Sequence, residues 1–110
     1  QKLSLMSEKK KIKLTFGDMN EKNINILRKV NFNALPVKYS TPFYIKVAME
    51  YAKLSKYCYY NDIAIGAYTT RVEDFKGEKH AYILTFSVLE PYRKFGVGRQ
   101  MMENLEKVIK

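Results

Sequence analysis

The chain has 110 residues, 46% of them hydrophobic and 14% aromatic, and carries a formal charge of +9. This length and apolar content suit one soluble domain with its own core and exclude a disordered tail or a two-domain protein. No apolar run approaches the ~20 residues that span a bilayer, and the opening QKLSLMSEKKKIK places its cations after a short apolar patch, the reverse of a secretory signal, so an intracellular protein with no membrane partner is expected.

Gln1 in place of a methionine implies that the sequence does not begin at the native start. Cys58 stands alone in a tyrosine-rich run and cannot form an internal disulfide, and no Cys/His cluster offers a metal site. The lysines are spread along the whole chain, and only Lys9, Lys10, Lys11 and Lys13 run together. Lys, Asn, Ile, Tyr and Phe are plentiful together, as AT-rich coding DNA produces. Most lysines therefore read as solvated surface, with weak attraction to phosphate-bearing partners but no specific nucleic-acid site.

In chain order, KIKLTF (Lys11 to Phe16) alternates as a first strand. Asp18 with Glu21 three residues on reads as a capping box opening a helix, with Ile24, Leu27 and Val30 on one face. That helix should end near Asn31 to Asn33, because Leu35 precedes Pro36 and is pushed out of the helical region. After the loop Leu35-Pro36-Val37-Lys38-Tyr39, Ser40 or Thr41 before Pro42 caps a short amphipathic helix reaching about Tyr51. KYCYY (Lys56 to Tyr60) and IAIGAYTTRV (Ile63 to Val72) form a hairpin across Asn61-Asp62, two residues that tolerate positive φ. The polar stretch Glu73 to Lys79 then leads to AYILTFSVL (Ala81 to Leu89), a strand with few charges, expected at the centre of the sheet and ended by Pro91. From Gly98, Met101 or Met102, Leu105, Val108 and Ile109 recur at helical spacing.

PYRKFGVG (Pro91 to Gly98) therefore lies at a strand-to-helix turn. There, unpaired backbone N–H groups and the positive end of a helix dipole face outward together and form an anion cradle. Gly96 and Gly98 allow close approach of a phosphate, and Arg93 or Lys94 adds mobile positive charge at the rim. An ordinary strand-to-helix connection also accommodates two glycines; the flanking cations favour the phosphate site. A P-loop would need Lys and Ser or Thr after the last glycine, where Arg99-Gln100 stand, and a dinucleotide fingerprint would need a small residue in place of Met101.

Arg93-x-x-Gly96-x-Gly98 after a strand and before a helix resembles the acetyl-CoA signature of the GCN5-related N-acetyltransferases. Leu35-Pro36-Val37-x-Tyr39, Tyr60-Asn61-Asp62-Ile63-Ala64-x-Gly66-Ala67, Arg71-Val72 and Pro91-Tyr92-Arg93 resemble, in the same order and at similar spacing, the catalytic subunits of NatE-type N-terminal acetyltransferases, over roughly Lys13 to the chain end. The resemblance implies an α/β (α+β) acyl-CoA N-acyltransferase fold, with a mixed, mostly antiparallel sheet flanked by helices. It implies acetyl transfer from acetyl-CoA to the free α-amine of a peptide or nascent chain, with methionine followed by a hydrophobic residue preferred.

By the same resemblance, the segment Phe86, Ser87 and Val88 and the loop Arg93, Lys94, Phe95, Gly96, Val97 and Gly98 bind the cofactor. Leu35, Pro36, Val37 and Tyr39 hold the substrate's first residues, with Leu35 where a phenylalanine is familiar. Tyr82 is the catalytic tyrosine, acting through an ordered water as relay or orienter, since a phenol with a reference pKa of about 10 is a weak base at neutral pH. His80 is not the family's histidine, which belongs to a following strand. A strand and crossover helix normally return a parallel strand, and Ile109-Lys110 ends the sequence without one, so a single domain from 1 to 110 truncated after the cofactor-binding helix is expected. A NatA-type auxiliary subunit, the ribosome and a cytoplasmic location, with the nucleus as a second compartment, are implied as well. A non-catalytic, CoA-binding subunit of a complex is the alternative.

Overall fold

A computed structural model describes residues 12–109. Its sheet has four strands in the order β1-β2-β3-β4: β1 (Thr15–Asp18), β2 (Lys56–Tyr60), β3 (Ile63–Phe75) and β4 (Glu78–Val88). All three pairings are antiparallel. The helices are α1 (Ile24–Ala34), α2 (Thr41–Lys46) and α3 (Val97–Ile109). Among the described residues, no helix is long and apolar enough to cross a membrane.

The first strand lies further along than its alternation suggests, and Lys11 falls outside the described residues. Asp18 is not a helix cap; it closes β1 opposite Lys56 and forms an ion pair with it. No side chain caps α1; the turn before it is held by a reciprocal pair of asparagines. Asn23 N donates to Asn20 Oδ1 at 3.0 Å, and Asn20 N donates to Asn23 Oδ1 at 2.8 Å. Each side chain thus satisfies a backbone donor of the turn that leads into α1, whose N-cap Asn23 makes no side-chain bond to the first helical turn. Leu35, with φ −117° and ψ 144°, ends α1 in the extended conformation that Pro36 imposes.

Ser40 caps α2 by accepting from Phe43 N. Helical backbone runs on as a π turn (Val47–Tyr51) and a 3-10 turn (Ala52–Leu54). Ser55 Oγ then donates to the Tyr51 carbonyl at 2.7 Å and accepts from Thr70 N at 3.0 Å, fastening the end of this segment to β3.

The β2–β3 turn falls at Asn61 and Asp62, with φ of 50° and 66°. The polar stretch 73–79 is not a loop: β3 continues to Phe75 and β4 begins at Glu78, across a Lys76-Gly77 turn in which both residues have positive φ. These strand ends are exposed, so they carry charge without penalty. Among the described residues β4 pairs only with β3, which places it at the edge of the sheet rather than the centre. Its low charge reflects burial of its C-terminal half against the helices.

The sheet is the middle layer of three. On one face Leu27 and Val30 of α1, Tyr44 of α2 and Val47 pack against Tyr57 and Ala67. On the other, Val97, Met101 and Leu105 of α3 pack against Cys58, Ile65 and Tyr68. In β3–β4, Thr69 faces Thr85 and Thr70 faces Ile83, leaving Leu84 as a bulged extra residue. Thr85 and Ser87 are on the α1 face, bonded to Thr69 and Asn31. The extra residue shifts the alternation by one, so that Tyr82 rather than Ile83 continues that face.

Candidate functional site

The cleft forms where β4 ends. A single turn (Glu90–Tyr92) leads into the glycine loop, in which Lys94 and Gly96 adopt φ of 76° and 77°. These two left-handed residues fold the loop back so that Gln100 N donates to the Gly96 carbonyl at 3.1 Å and α3 begins. A cavity of about 420 Å³ lies against this turn. Phe86, Ser87 and Val88 form one wall, Arg93, Lys94, Gly96, Val97 and Gly98 the floor and rim, and Leu35 reaches in from the end of α1. Nine of the fourteen residues singled out from the sequence thus line one cleft.

The glycines fit a phosphate-bearing ligand. A Cβ at Gly96 would meet nothing within 4 Å, and one at Gly98 would meet only Phe86 Cε1 at 3.7 Å. The space beside both is open toward the cleft, so a pyrophosphate can approach the N–H groups of the first turn of α3, whose dipole favours negative charge there. The residues present therefore suit CoA.

Three expectations need correction. Arg93 is not a mobile rim charge: its Nε donates to the Val88 carbonyl and its Nη2 to the Ala34 carbonyl, both at 2.9 Å. Lys94, exposed and left-handed, is the rim cation that remains. Phe95 does not line the cleft; its half-buried ring packs onto the core beneath α3. The four substrate-loop residues divide. Leu35 faces the cofactor cleft, Val37 and Tyr39 line a second groove with Arg28, Lys29, Phe32, Asn33, Lys38 and Tyr44, and Pro36 lines neither. Tyr39 is also stacked on Phe43, with ring centroids 4.9 Å apart.

Tyr82 is 44% exposed and lies four residues before Phe86, about 13 Å along a strand. Its cross-strand neighbour is Arg71, whose guanidinium carbon lies 5.4 Å from the Tyr82 ring centroid. Arg71 also pairs with Glu73, while its Nε is buried with no hydrogen-bond partner among the described residues. The phenol thus stands exposed on the sheet surface beside a cation. His80 stands at the outer end of the β3–β4 hairpin against the edge of Phe75.

Sequence reasoning missed Asn31 and the role of Arg71. Asn31 is fully buried, and its Oδ1 accepts from Ser87 Oγ at 3.0 Å, joining α1 to the strand that walls the cleft. The signal was present: Asn31 stands four residues after Leu27 on the apolar stripe, where a polar residue needs a buried partner. Cys58 is excluded as a nucleophile, because burial pushes its thiol up to about 12.

Residues 20–110 match the model of the acetyltransferase (GNAT) family. The chain is 38% identical over 92 residues to a Drosophila melanogaster protein described as probable N-acetyltransferase san, covering 84% of this chain and 50% of that one. It is also 38% identical over 93 residues to N-alpha-acetyltransferase 50 of Danio rerio, covering 84% and 55%. Among solved structures, Arabidopsis thaliana Naa50 in complex with the bisubstrate analogue CoA-Ac-MVNAL superposes with a TM-score of 0.75 at 30% identity, over 86% of this chain and 62% of that one. The chain belongs to the GNAT acetyltransferase family, and it spans about half the length of the curated relatives it matches.

Proposed function

We propose that the protein transfers the acetyl group of acetyl-CoA to the free α-amine of a peptide or nascent chain, preferring methionine followed by a hydrophobic residue. The observation that carries this reading is the cleft at the end of β4, where an open glycine turn at the start of α3 adjoins Leu35 of the Leu-Pro-Val-x-Tyr loop. The likeness to Naa50 bound to an acetylated Met-Val peptide analogue supports it.

Acetyl-CoA, when bound, supplies an activated acetyl thioester. The α3 N-terminus and Lys94 hold its phosphates, the Phe86–Val88 segment flanks the arm, and Leu35 closes the side toward the peptide. A free α-amine has a reference pKa of about 8 and is largely protonated at neutral pH, so a proton must leave it before or during attack. Tyr82, on the α1 face of β4, orients or relays that proton through an ordered water, giving up its own proton as it takes one. Among the described residues β4 is paired along one edge only, and a further strand along its free edge would supply the second wall. An auxiliary subunit of NatA type, the ribosome, and a cytoplasmic and nuclear distribution belong to the same reading, and the +9 charge suits a phosphate-rich ribosomal surface.

The test is CoA release by the full-length protein with Met-Leu and Ser-Glu peptides of equal length. Preference for Met-Leu supports the proposal. Preference for Ser-Glu moves the protein to another acetyltransferase class, and acetyl-CoA binding without turnover on either makes it a non-catalytic subunit.

A further inference from the structure

The second groove, of about 250 Å³, shares the loop Leu35 to Tyr39 with the cofactor cleft. Leu35 turns into the cleft, while Val37, two residues and therefore at most ~7 Å further on, turns into the groove. A peptide whose first residue lies beside Leu35 needs only two or three further residues to reach Val37.

The groove has an apolar floor and a cationic rim. Phe32 and Val37 are 70% and 55% exposed, a contact surface that the fold itself does not use. Arg28 and Lys29 come from α1, one turn before Phe32 and Asn33, so all four share one helix face. Lys38 enters from the loop on the other side. Arg28 is held in place: its Nη2 donates to Thr41 Oγ1 at 3.1 Å and its guanidinium lies 4.7 Å from the Tyr44 ring centroid. Among the described residues neither Lys29 nor Lys38 is in an ion pair, and no carboxylate lines the groove. Three converging cations above exposed apolar side chains are complementary to an extended peptide carrying Asp or Glu.

We propose that this groove is a distal subsite for the substrate peptide, taking about its third to fifth residues and selecting an acidic side chain through Lys29, Lys38 and Arg28. The proposal rests on the N-terminal acetyltransferase reading, since it assigns the groove to the same substrate. It makes acceptance depend on sequence beyond the first two residues.

The experiment uses the full-length protein with CoA and three fluorescent peptides beginning Met-Leu, with Glu, Ala or Lys at positions 3 to 5. Binding is followed by anisotropy and acetylation by CoA release. Exposed ion pairs contribute little individually, so the Glu peptide should bind about 3- to 10-fold more tightly than the Lys peptide, and the difference should shrink in high salt. In Lys29→Glu/Lys38→Glu the preference should reverse toward the Lys peptide, a gain that loss of folding cannot produce. Lys76→Glu/Lys79→Glu, an equal change in net charge at the distant hairpin, should keep the wild-type order.

Equal binding of the three peptides by the wild type overturns the subsite, as does an equal response to the two charge reversals, which would reduce the effect to net charge. Charge-dependent binding with no acetylation of any peptide keeps the groove as a peptide site and sinks the enzymatic reading instead.

Discussion

Arg93 and Ala34, 59 positions apart, are joined by a 2.9 Å hydrogen bond from the guanidinium to the carbonyl that ends α1. The same side chain holds the Val88 carbonyl, so one residue of the glycine loop fastens the last residue of the cofactor strand to the residue before Leu35. The glycine loop and the loop that begins at Leu35 are therefore mechanically one unit. Truncating Arg93 to Ala frees both carbonyls and the loop they anchor. Charge-assisted bonds contribute ~1.5–3 kcal/mol when well shielded, and these are exposed, so a combined loss of about 1–2 kcal/mol is expected. Kinetics should show KM rising for both acetyl-CoA and peptide. A rise for acetyl-CoA alone would confine Arg93 to the phosphate site.

The glycine turn separates two effects that a single mutant would mix. Gly98 has room for a methyl group at 3.7 Å from Phe86, so Gly98→Ala should keep its melting temperature while acetyl-CoA affinity falls by about tenfold or more through lost close approach to the backbone. Gly96 sits at φ 77°, where a Cβ costs roughly 1–2 kcal/mol, so Gly96→Ala should lose stability as well. Lys94 already bears that strain at φ 76°. Lys94→Gly should thus be no less stable than wild type yet bind acetyl-CoA more weakly, having lost the rim cation. Thermal melts and titration calorimetry on the three variants check the set.

Tyr82 is 44% exposed on the sheet surface, so Tyr82→Phe should fold normally. General acid-base help is worth ~10²–10⁴-fold, and a relay role should place the loss at the lower end of that range. It should fall on kcat, with KM for acetyl-CoA unchanged. Undiminished turnover would remove the phenol from the mechanism.

Local chemistry made much of this legible. Asn61-Asp62 marked the hairpin, Pro36 ended α1, Ser40 and Pro42 opened α2, and the glycine pair lay where strand becomes helix. What escaped depends on distant parts of the chain. Asp18 looks like a cap, but opposite Lys56 it serves the strand, and an Asn20–Asn23 pair closes the turn before an uncapped helix instead. The bulge at Leu84, which selects the face of Tyr82, leaves no mark in the alternation of AYILTFSVL. Arg93 resembles a phosphate ligand in sequence because the carbonyls it holds belong to segments that only folding brings near. The rim of the second groove was divided between a helix and a loop, so three unremarkable cations in sequence became a cluster in space.

The last expectation concerns alkaline pH. Tyr57, Cys58 and Tyr68 are fully buried, and burial pushes each of them up to about 12 in the native protein, against 10.0 for the phenols and 9.0 for the thiol as ordinary values. Below about pH 9 native and unfolded chains both hold these protons, and the groups add no pH dependence. Between about 9 and 12 the unfolded chain releases protons that the native chain retains, so the unfolded state gains and stability falls as pH rises. Each group contributes at most about 1.4 kcal/mol per pH unit within its own window. Urea titrations from pH 8 to 11.5 should show a flat region followed by a steepening decline, beginning with the thiol near 9 and reinforced by the phenols above 10. Tyr68 also donates to Asn104 Oδ1 at 2.6 Å, so Tyr68→Phe should start from lower stability but decline less steeply above pH 10. Cys58 should resist thiol reagents at pH 8 until urea unfolds the chain. A native-state thiol reacting freely at that pH, or unfolding free energies unchanged up to pH 11.5, would show that these groups are not held as the structure has them.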